Sequence, residues 1–232
     1  MVKKKVLIIL GASSGIGREL IKKLNKKFRI IAFYNKGKIT NNLNITKVKL
    51  DFNSDLRELD TKFKKLIKSN SNIVLVNFAA IKVDKISYHI NEKEFNKTIK
   101  VNTFAFLKII QNLLPQMIKN RWGRIINISS VGGLKGDKGT LLYSASKKAN
   151  EAMMKVMSKE YGVFNIFFNT LKLGNFNFGL FKKLDKKIKK ELVNKVPTKT
   201  TGNIKNIVSA LELLIKSDYI NGSSIKIDGG SD

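Results

Sequence analysis

Short apolar runs alternate along the chain with segments of helical spacing. Val6–Leu10, Arg29–Tyr34, Lys47–Leu50, Ile73–Asn77, Arg124–Ile128, Val163–Asn169 and Ser224–Ile227 are continuous and rich in Ile, Val and Phe, the composition of strands buried on both faces. Between them, apolar residues recur at three- and four-residue intervals. Ile204, Ile207, Val208, Leu211 and Ile215 therefore share one face of a helix. A longer helical pattern from about Asn91 to Lys119 contains Pro115, whose ring and missing N–H predict a kink. Strands alternating with crossover helices predict right-handed βαβ units, and so an α/β, three-layer, doubly wound fold around a mainly parallel seven-stranded sheet. No linker-like stretch interrupts the 232 residues, and Pro115 and Pro197 are the only prolines. One domain over 1–232 is expected. In such a sheet a ligand binds beyond the carboxyl ends of the strands, where strand order reverses, so the residues after each strand are the ones to inspect.

The first run leads into Gly11-Ala12-Ser13-Ser14-Gly15-Ile16-Gly17, with a helix expected from about Gly15. Glycines let backbone approach a pyrophosphate closely, and a helix N-terminus offers free amides and partial positive charge. The spacing is G-x3-G-x-G rather than the commoner G-x-G-x-x-G, and the turn gains its meaning from following the first strand. The second run ends in Phe33-Tyr34-Asn35-Lys36 without a carboxylate. An acid there would bind an adenosine ribose 2′-hydroxyl and repel a 2′-phosphate. Its absence, with Asn35, Lys36 and Lys38 nearby, favours NADP (NADPH) over NAD, in a chain where Lys is frequent everywhere. Asp51-Phe52 follows the third run and suits an adenine contact through a carboxylate and adjacent backbone, while Asn53 or Ser54 suits the cap of the next helix. The fourth run ends in Asn77-Phe78-Ala79-Ala80, which reads either as close backbone passage beside a cofactor or as a plain turn. The fifth ends in Asn127-Ile128-Ser129-Ser130; thirteen residues beyond Ser130 stands Tyr143, followed by Ser144-Ala145-Ser146-Lys147. Residues four apart on a helix share a face, so the Tyr143 ring and the Lys147 ammonium point the same way.

Taken together, these motifs resemble the short-chain dehydrogenase/reductase family, in its compact single-domain branch, over essentially the whole chain. The resemblance is greatest to members like β-ketoacyl-carrier-protein reductases. It rests on Gly11–Gly17, Asp51, Asn77-Phe78-Ala79-Ala80, Asn102 within Val101-Asn102-Thr103, Ser130, Tyr143 with Lys147, and the tail Ile225-Lys226-Ile227-Asp228-Gly229-Gly230, all in the family's order. The interval of 28 residues between Asn102 and Ser130 also fits.

The resemblance implies a dinucleotide held by Gly11, Ser13, Ser14, Gly15, Ile16, Gly17, Asn35, Asp51, Phe52, Asn77, Ala79, Leu173 and Gly174, together with Tyr143 and Lys147. It implies a catalytic set of Asn102, Ser130, Tyr143 and Lys147, and no metal. Tyr143 would be the general acid in carbonyl reduction and the base in the reverse direction. Lys147 would hold the nicotinamide ribose and Ser130 the substrate carbonyl oxygen, where negative charge develops. Asn102 would hold a water linking Lys147 to solvent. A free tyrosine pKa of about 10 would have to fall by roughly two to three units, a change of about 3–4 kcal/mol. One cation about 4 Å away at an effective dielectric of 20 supplies about that much, so Lys147 is expected to be sufficient in scale. Ser129 is the rival hydroxyl, but its spacing to Tyr143 is wrong by one and its strand parity is opposite.

Some positions depart from the family pattern. Leu10 replaces the usual Thr before the first glycine, and Phe78-Ala79-Ala80 stands where Asn-Ala-Gly is usual. Leu173-Gly174-Asn175-Phe176-Asn177-Phe178 lacks the usual Pro and the Thr that holds the nicotinamide carboxamide. The segment Asn175–Pro197, rich in Phe and Lys, is expected to be a substrate lid for an apolar or anionic substrate; an ordinary amphipathic helix is the other reading.

Composition narrows the classes. With 43% hydrophobic residues the chain can bury a sizeable core, and without cysteine it can build neither disulfides nor thiolate sites. A Ser-His-Asp hydrolase would need His89, the only histidine, and no Gly-x-Ser-x-Gly elbow is present. The apolar start Val6–Leu10 is five residues, against roughly 7–15 for a secretory segment, and nothing approaches the roughly 18 of a membrane span; a cytoplasmic protein is expected. The formal net charge of +28 is spread along the whole chain. It fits compositional drift towards Lys, Asn and Ile, or attraction to an anionic small molecule or acidic protein, more readily than a nucleic-acid or membrane role. The expected activity is NADPH-dependent reduction of a ketone, on a carrier-protein-bound substrate or a sugar precursor. A cofactor-binding scaffold with little turnover is the alternative. A homodimer or homotetramer is implied by the resemblance, and Ala149, Ala152, Met153, Val156 and Met157 after Tyr143 are the apolar surface it would use, unless that face is buried within one chain.

Overall fold

The structure is a computed structural model that describes residues 5–39, 42–57, 59–132, 135–178, 181 and 184–231. Seven strands form one sheet among these residues: β1 (Lys5–Leu10), β2 (Arg29–Tyr34), β3 (Ile45–Lys49), β4 (Asn72–Asn77), β5 (Gly123–Ser130), β6 (Ile166–Leu173) and β7 (Ser224–Ile227). Their order is β3-β2-β1-β4-β5-β6-β7, and every neighbouring pair is parallel. The sheet is thus wholly parallel, and its strand order reverses between β1 and β4.

Helices α1 (Gly15–Leu24), α2 (Leu59–Leu66), α3 (Glu92–Ile99), α4 (Ala105–Asn120), α5 (Leu141–Tyr161), α6 (Lys186–Asn194) and α7 (Ile204–Lys216) connect the strands. Strand alternation divides the core in two. Val6, Ile8, Leu10 and Ile125 pack with α2, α4 and α5 on one face, including Phe63, Phe106, Ile109 and Met154. Leu7, Ile9, Ile126 and Ile128 pack with α1 and α7 on the other, including Leu20, Leu24, Ile207 and Leu211. Central strands are buried on both faces, which is why they appear in the sequence as unbroken apolar runs. None of the described helices is long and apolar enough to cross a membrane.

Several expected boundaries move. β3 runs over Ile45–Lys49 rather than Lys47–Leu50, and β5 extends two residues past Ile128 to Ser130. The sixth strand begins at Ile166 rather than Val163, because Gly162–Phe164 tighten into a 3-10 turn and Asn165 takes a left-handed conformation with φ 57°. An Asn tolerates that conformation better than its apolar neighbours would, so the chain reverses there. Pro115 lies inside α4, which continues to Asn120; the departure from α-helical geometry comes earlier, as a π turn over Lys100–Phe104.

Candidate active site

The strand ends converge on one side of the sheet. After β1 the chain turns at Gly11, whose φ is 73°. A Cβ on Gly11 would lie 2.9 Å from the Ala79 nitrogen, so the turns after β1 and β4 touch only because this residue is glycine. Ser14 caps α1, its Oγ accepting from the Gly17 amide at 3.0 Å. Gly17 is enclosed too: a Cβ there would sit 2.8 Å from the Gly11 and Ala12 carbonyls. The N-terminus of α1, at Ser14, Gly15 and Ile16, opens onto a cavity of about 440 Å³, within the roughly 300–1,000 Å³ range of small-molecule sites.

The same cavity is lined by Ser130, Tyr143, Lys147, Leu173 and Gly174. Ser130 ends β5, Tyr143 and Lys147 lie on the first turns of α5, and Leu173 ends β6. Tyr143 and Ser130 face the same cavity, and Ser130 favours the ionised form of the Tyr143 hydroxyl. Lys147 is almost wholly buried, with its Nζ donating to the Ile128 carbonyl at 2.7 Å and lying 5.4 Å from the centroid of the Tyr143 ring. Gly174 lets the end of β6 pass the end of β7, since a Cβ would meet Asp228 at 2.7 Å.

Electrostatics here differ from the expectation that Lys147 sets Tyr143 low. Burial pushes the Tyr143 hydroxyl up, opposed by its bond to Ser130. Burial also pulls Lys147 down to about 8, opposed by the charge of Glu151. Without a ligand, desolvation of the ionised forms dominates both groups.

Asn102 sits in the π turn, buried between α3 and α5. Its Oδ1 accepts from the Ile81 amide at 2.8 Å, and its Nδ2 donates to the Ile81 carbonyl and to Ser146 Oγ at 2.9 and 3.0 Å. Its main-chain carbonyl accepts from Asn150 Nδ2 at 2.9 Å. Asn77 is buried, with Oδ1 accepting from the Ala79 amide at 3.0 Å.

Ser13, Asn35, Asp51 and Phe52, expected to hold the cofactor, do not line this cavity. Asn35 is exposed after β2, and Ser13 is partly buried, its carbonyl accepting from Arg18 at 2.6 Å. Asp51 caps its own turn, its carboxylate accepting from the Asn53 amide at 2.8 Å. Phe52 belongs to the core. Since α2 begins at Leu59, neither Asn53 nor Ser54 caps it. His89 lies exposed in the 3-10 turn Ser87–His89. No group of three or more His, Cys, Asp or Glu that could hold a metal occurs among the described residues.

The profile of the family described as short chain dehydrogenase matches residues 5–189. The chain belongs to the short-chain dehydrogenase family. It is 31% identical over 238 residues to the 3-oxoacyl-(acyl-carrier-protein) reductase FabG of Buchnera aphidicola subsp. Schizaphis graminum, covering 99% of this chain and 98% of the relative. It is 32% identical over 237 residues to FabG of Rickettsia conorii, covering 97% and 96%. A solved 4-hydroxyisoleucine dehydrogenase mutant, complexed with NADH and succinate, superimposes with a TM-score of 0.86 at 28% identity, covering 98% of each chain.

As a short-chain dehydrogenase the chain is an NAD(P)-dependent oxidoreductase, and its structure adds residues that motif reading passes over. Phe78, Phe176, Phe178 and Phe181 give the cavity an aromatic wall, with Lys82, Asp137 and Thr140 beside it. Positions 179, 180, 182 and 183 of the expected lid lie outside the described residues. Asn150 and Glu151 bind Asn102 and Ser129 from the inner face of α5. Only Asn150 carries a signal in the sequence: Lys147, Asn150, Met154 and Met157 form one buried stripe, and an amide in such a stripe needs a partner, though nothing local says which.

Proposed function

We propose that this short-chain dehydrogenase is an NADPH-dependent ketoreductase that uses Tyr143 as general acid. The observation that carries the reading is the placing of Ser130 and Tyr143 on the wall of one cavity, with Lys147 buried alongside. A carbonyl oxygen between these hydroxyls would receive a hydrogen bond from Ser130 and a proton from Tyr143. The residues fit a dinucleotide: the capped N-terminus of α1 offers its amides to a pyrophosphate. Leu173 and Gly174 supply backbone, and Tyr143 and Lys147 supply polar groups, on the opposite wall. Bound there, a nicotinamide would supply the hydride.

The aromatic wall favours an acyl chain over a polyhydroxylated sugar. A 3-oxoacyl thioester on an acidic carrier is the substrate class this wall and the net charge of +28 suit best, in keeping with the relatives' names. The segment 175–197 would close over the acyl chain through Phe176 and Phe178. Phe104 of the π turn, at 51% exposure, and Val156 of α5, at 56%, leave an apolar surface that suits a second copy of the chain. The deciding experiment is NADPH oxidation against 3-oxoacyl thioesters, keto sugars and simple ketones. Turnover is expected on the thioesters and a loss of about 10²-fold or more in Tyr143→Phe; a Tyr143→Phe protein with full activity would remove the reading.

A further inference from the structure

We propose that Glu151 is a positioning residue of this site, the fixed counter-charge that keeps Lys147 an ammonium beside Tyr143. The proposal rests on the reading of Tyr143 and Lys147 as the proton-transfer pair. Three consecutive residues of β5 clamp three residues of α5 spaced four apart. Ser130 shares the cavity wall with Tyr143, the Ile128 carbonyl accepts from Lys147 at 2.7 Å, and Ser129 Oγ donates to Glu151 Oε1 at 2.8 Å. Residues at i, i+4 and i+8 follow one helix face with a slow drift. The carboxylate of Glu151 therefore lies on the far side of Lys147 from the Tyr143 ring, one helical turn along.

The other end of Glu151 is held as firmly. Its Oε2 lies 3.0 Å from Lys172 Nζ on β6, with the two side chains 13% and 17% exposed. A carboxylate fixed by both a strand hydroxyl and a strand cation cannot swing away, and in a site largely shielded from water its charge reaches further than on a surface. It is the charge that opposes the loss of the Lys147 proton on burial. Other charges around Glu151 are cationic: Lys148 and Lys155 share its hollow on α5, and Lys226 on β7 pairs in register with Lys172. Glu151 thus divides its charge between Lys147 and a cluster of competitors, and Lys172 is the nearest of them.

The sequence of effects has a definite sign. Loss of the carboxylate makes a charged Lys147 costlier, so its proton leaves more readily. Lys147 titrates at about 8, well before Tyr143, whose hydroxyl lies above its ordinary value, so the effect is read on Lys147 itself. The test follows the side-chain carbon signals of isotope-labelled lysine, as the difference between a protein and the same protein carrying Lys147→Met; it needs neither cofactor nor substrate. Glu151→Gln keeps an acceptor for Ser129 and removes only the charge. Its Lys147 midpoint is expected to fall by about half a unit or more; a titration superimposable on that of the unmodified protein overturns the proposal. Should Glu151→Gln not fold, Lys172→Gln gives the opposite reading. Removing the competitor frees Glu151 and also removes a like charge near Lys147, so the midpoint rises, and an unmoved or lowered midpoint overturns the proposal. Failure of Tyr143→Phe to abolish turnover would instead remove the functional reading, which this titration does not measure.

Discussion

The Nζ of Lys147 donates to the main-chain carbonyl of Ile128 at 2.7 Å, while Ser130, two residues along the same strand, shares the cavity wall with Tyr143. The end of β5 therefore sets the spacing of the pair on α5. A strand buried on both faces cannot shift its register without turning its side chains to the wrong face, so this spacing is as rigid as the core.

Holding Lys147 there costs stability, because burial lowers its pKa from 10.5 to about 8. Between those values the folded chain binds fewer protons than the unfolded one, so stability rises with pH through that window and the full penalty is present below pH 8. Lys147→Met is expected to stabilise the fold at pH 7 by up to about 3 kcal/mol, while abolishing turnover. Urea denaturation at pH 7 and at pH 10 checks this: the gap between the two proteins should be wide at the first and narrow at the second. A gap that does not change with pH would show that Lys147 carries no such penalty.

Ser130 and Ser129 are adjacent hydroxyls with opposite roles. Both residues line the cavity, but the Ser129 hydroxyl is spent on Glu151. Ser130→Ala is expected to lower kcat by about 10²-fold with little change in NADPH affinity, since it removes a donor that matters most as charge develops on the carbonyl oxygen. Ser130→Thr should recover much of the rate. Equal loss in the two variants would point to crowding rather than to the missing hydroxyl.

Gly11 carries a constraint that is easy to measure. Its φ of 73° and the 2.9 Å approach a Cβ would make to Ala79 both exclude a side chain. Gly11→Ala is expected to lose about 1–3 kcal/mol of stability and to move the turn that Asn77 braces. Thermal unfolding would register it as a lowered Tm, with NADPH affinity falling in parallel.

The sheet was legible because its strands, covered on both faces, leave unbroken apolar runs, and Tyr143 with Lys147 was legible because four residues make one helical face. Other features have causes that lie far off in the chain. Asn150 finds its partner 48 residues away in Asn102, and Glu151 finds its partner 22 residues away in Ser129; no local pattern marks such pairs. Val163 and Phe164 have strand composition but complete the turn after α5, because a positive-φ Asn165 follows them. The Tyr143 hydroxyl is pushed up where the sequence predicts it low, because a sequence shows that a cation is near but not how much water both groups lose.

Cofactor choice is expected to turn on the exposed residues after β2, where Asn35 and Lys36 follow the strand end and no acid stands to bind a ribose hydroxyl. Asn35→Asp places a carboxylate there without disturbing the core. At about 6 Å from a dianionic 2′-phosphate in a water-like dielectric, that charge costs about 1.4 kcal/mol, or about tenfold in affinity. The ratio of kcat/KM for NADPH to that for NADH should fall by about that factor at low ionic strength, and by less as added salt screens the pair. The Tm should be unchanged, because Asn35 is exposed. A ratio indifferent to the substitution would mean that the 2′-phosphate is read elsewhere, or that the unsubstituted enzyme does not distinguish the two cofactors at this strand end.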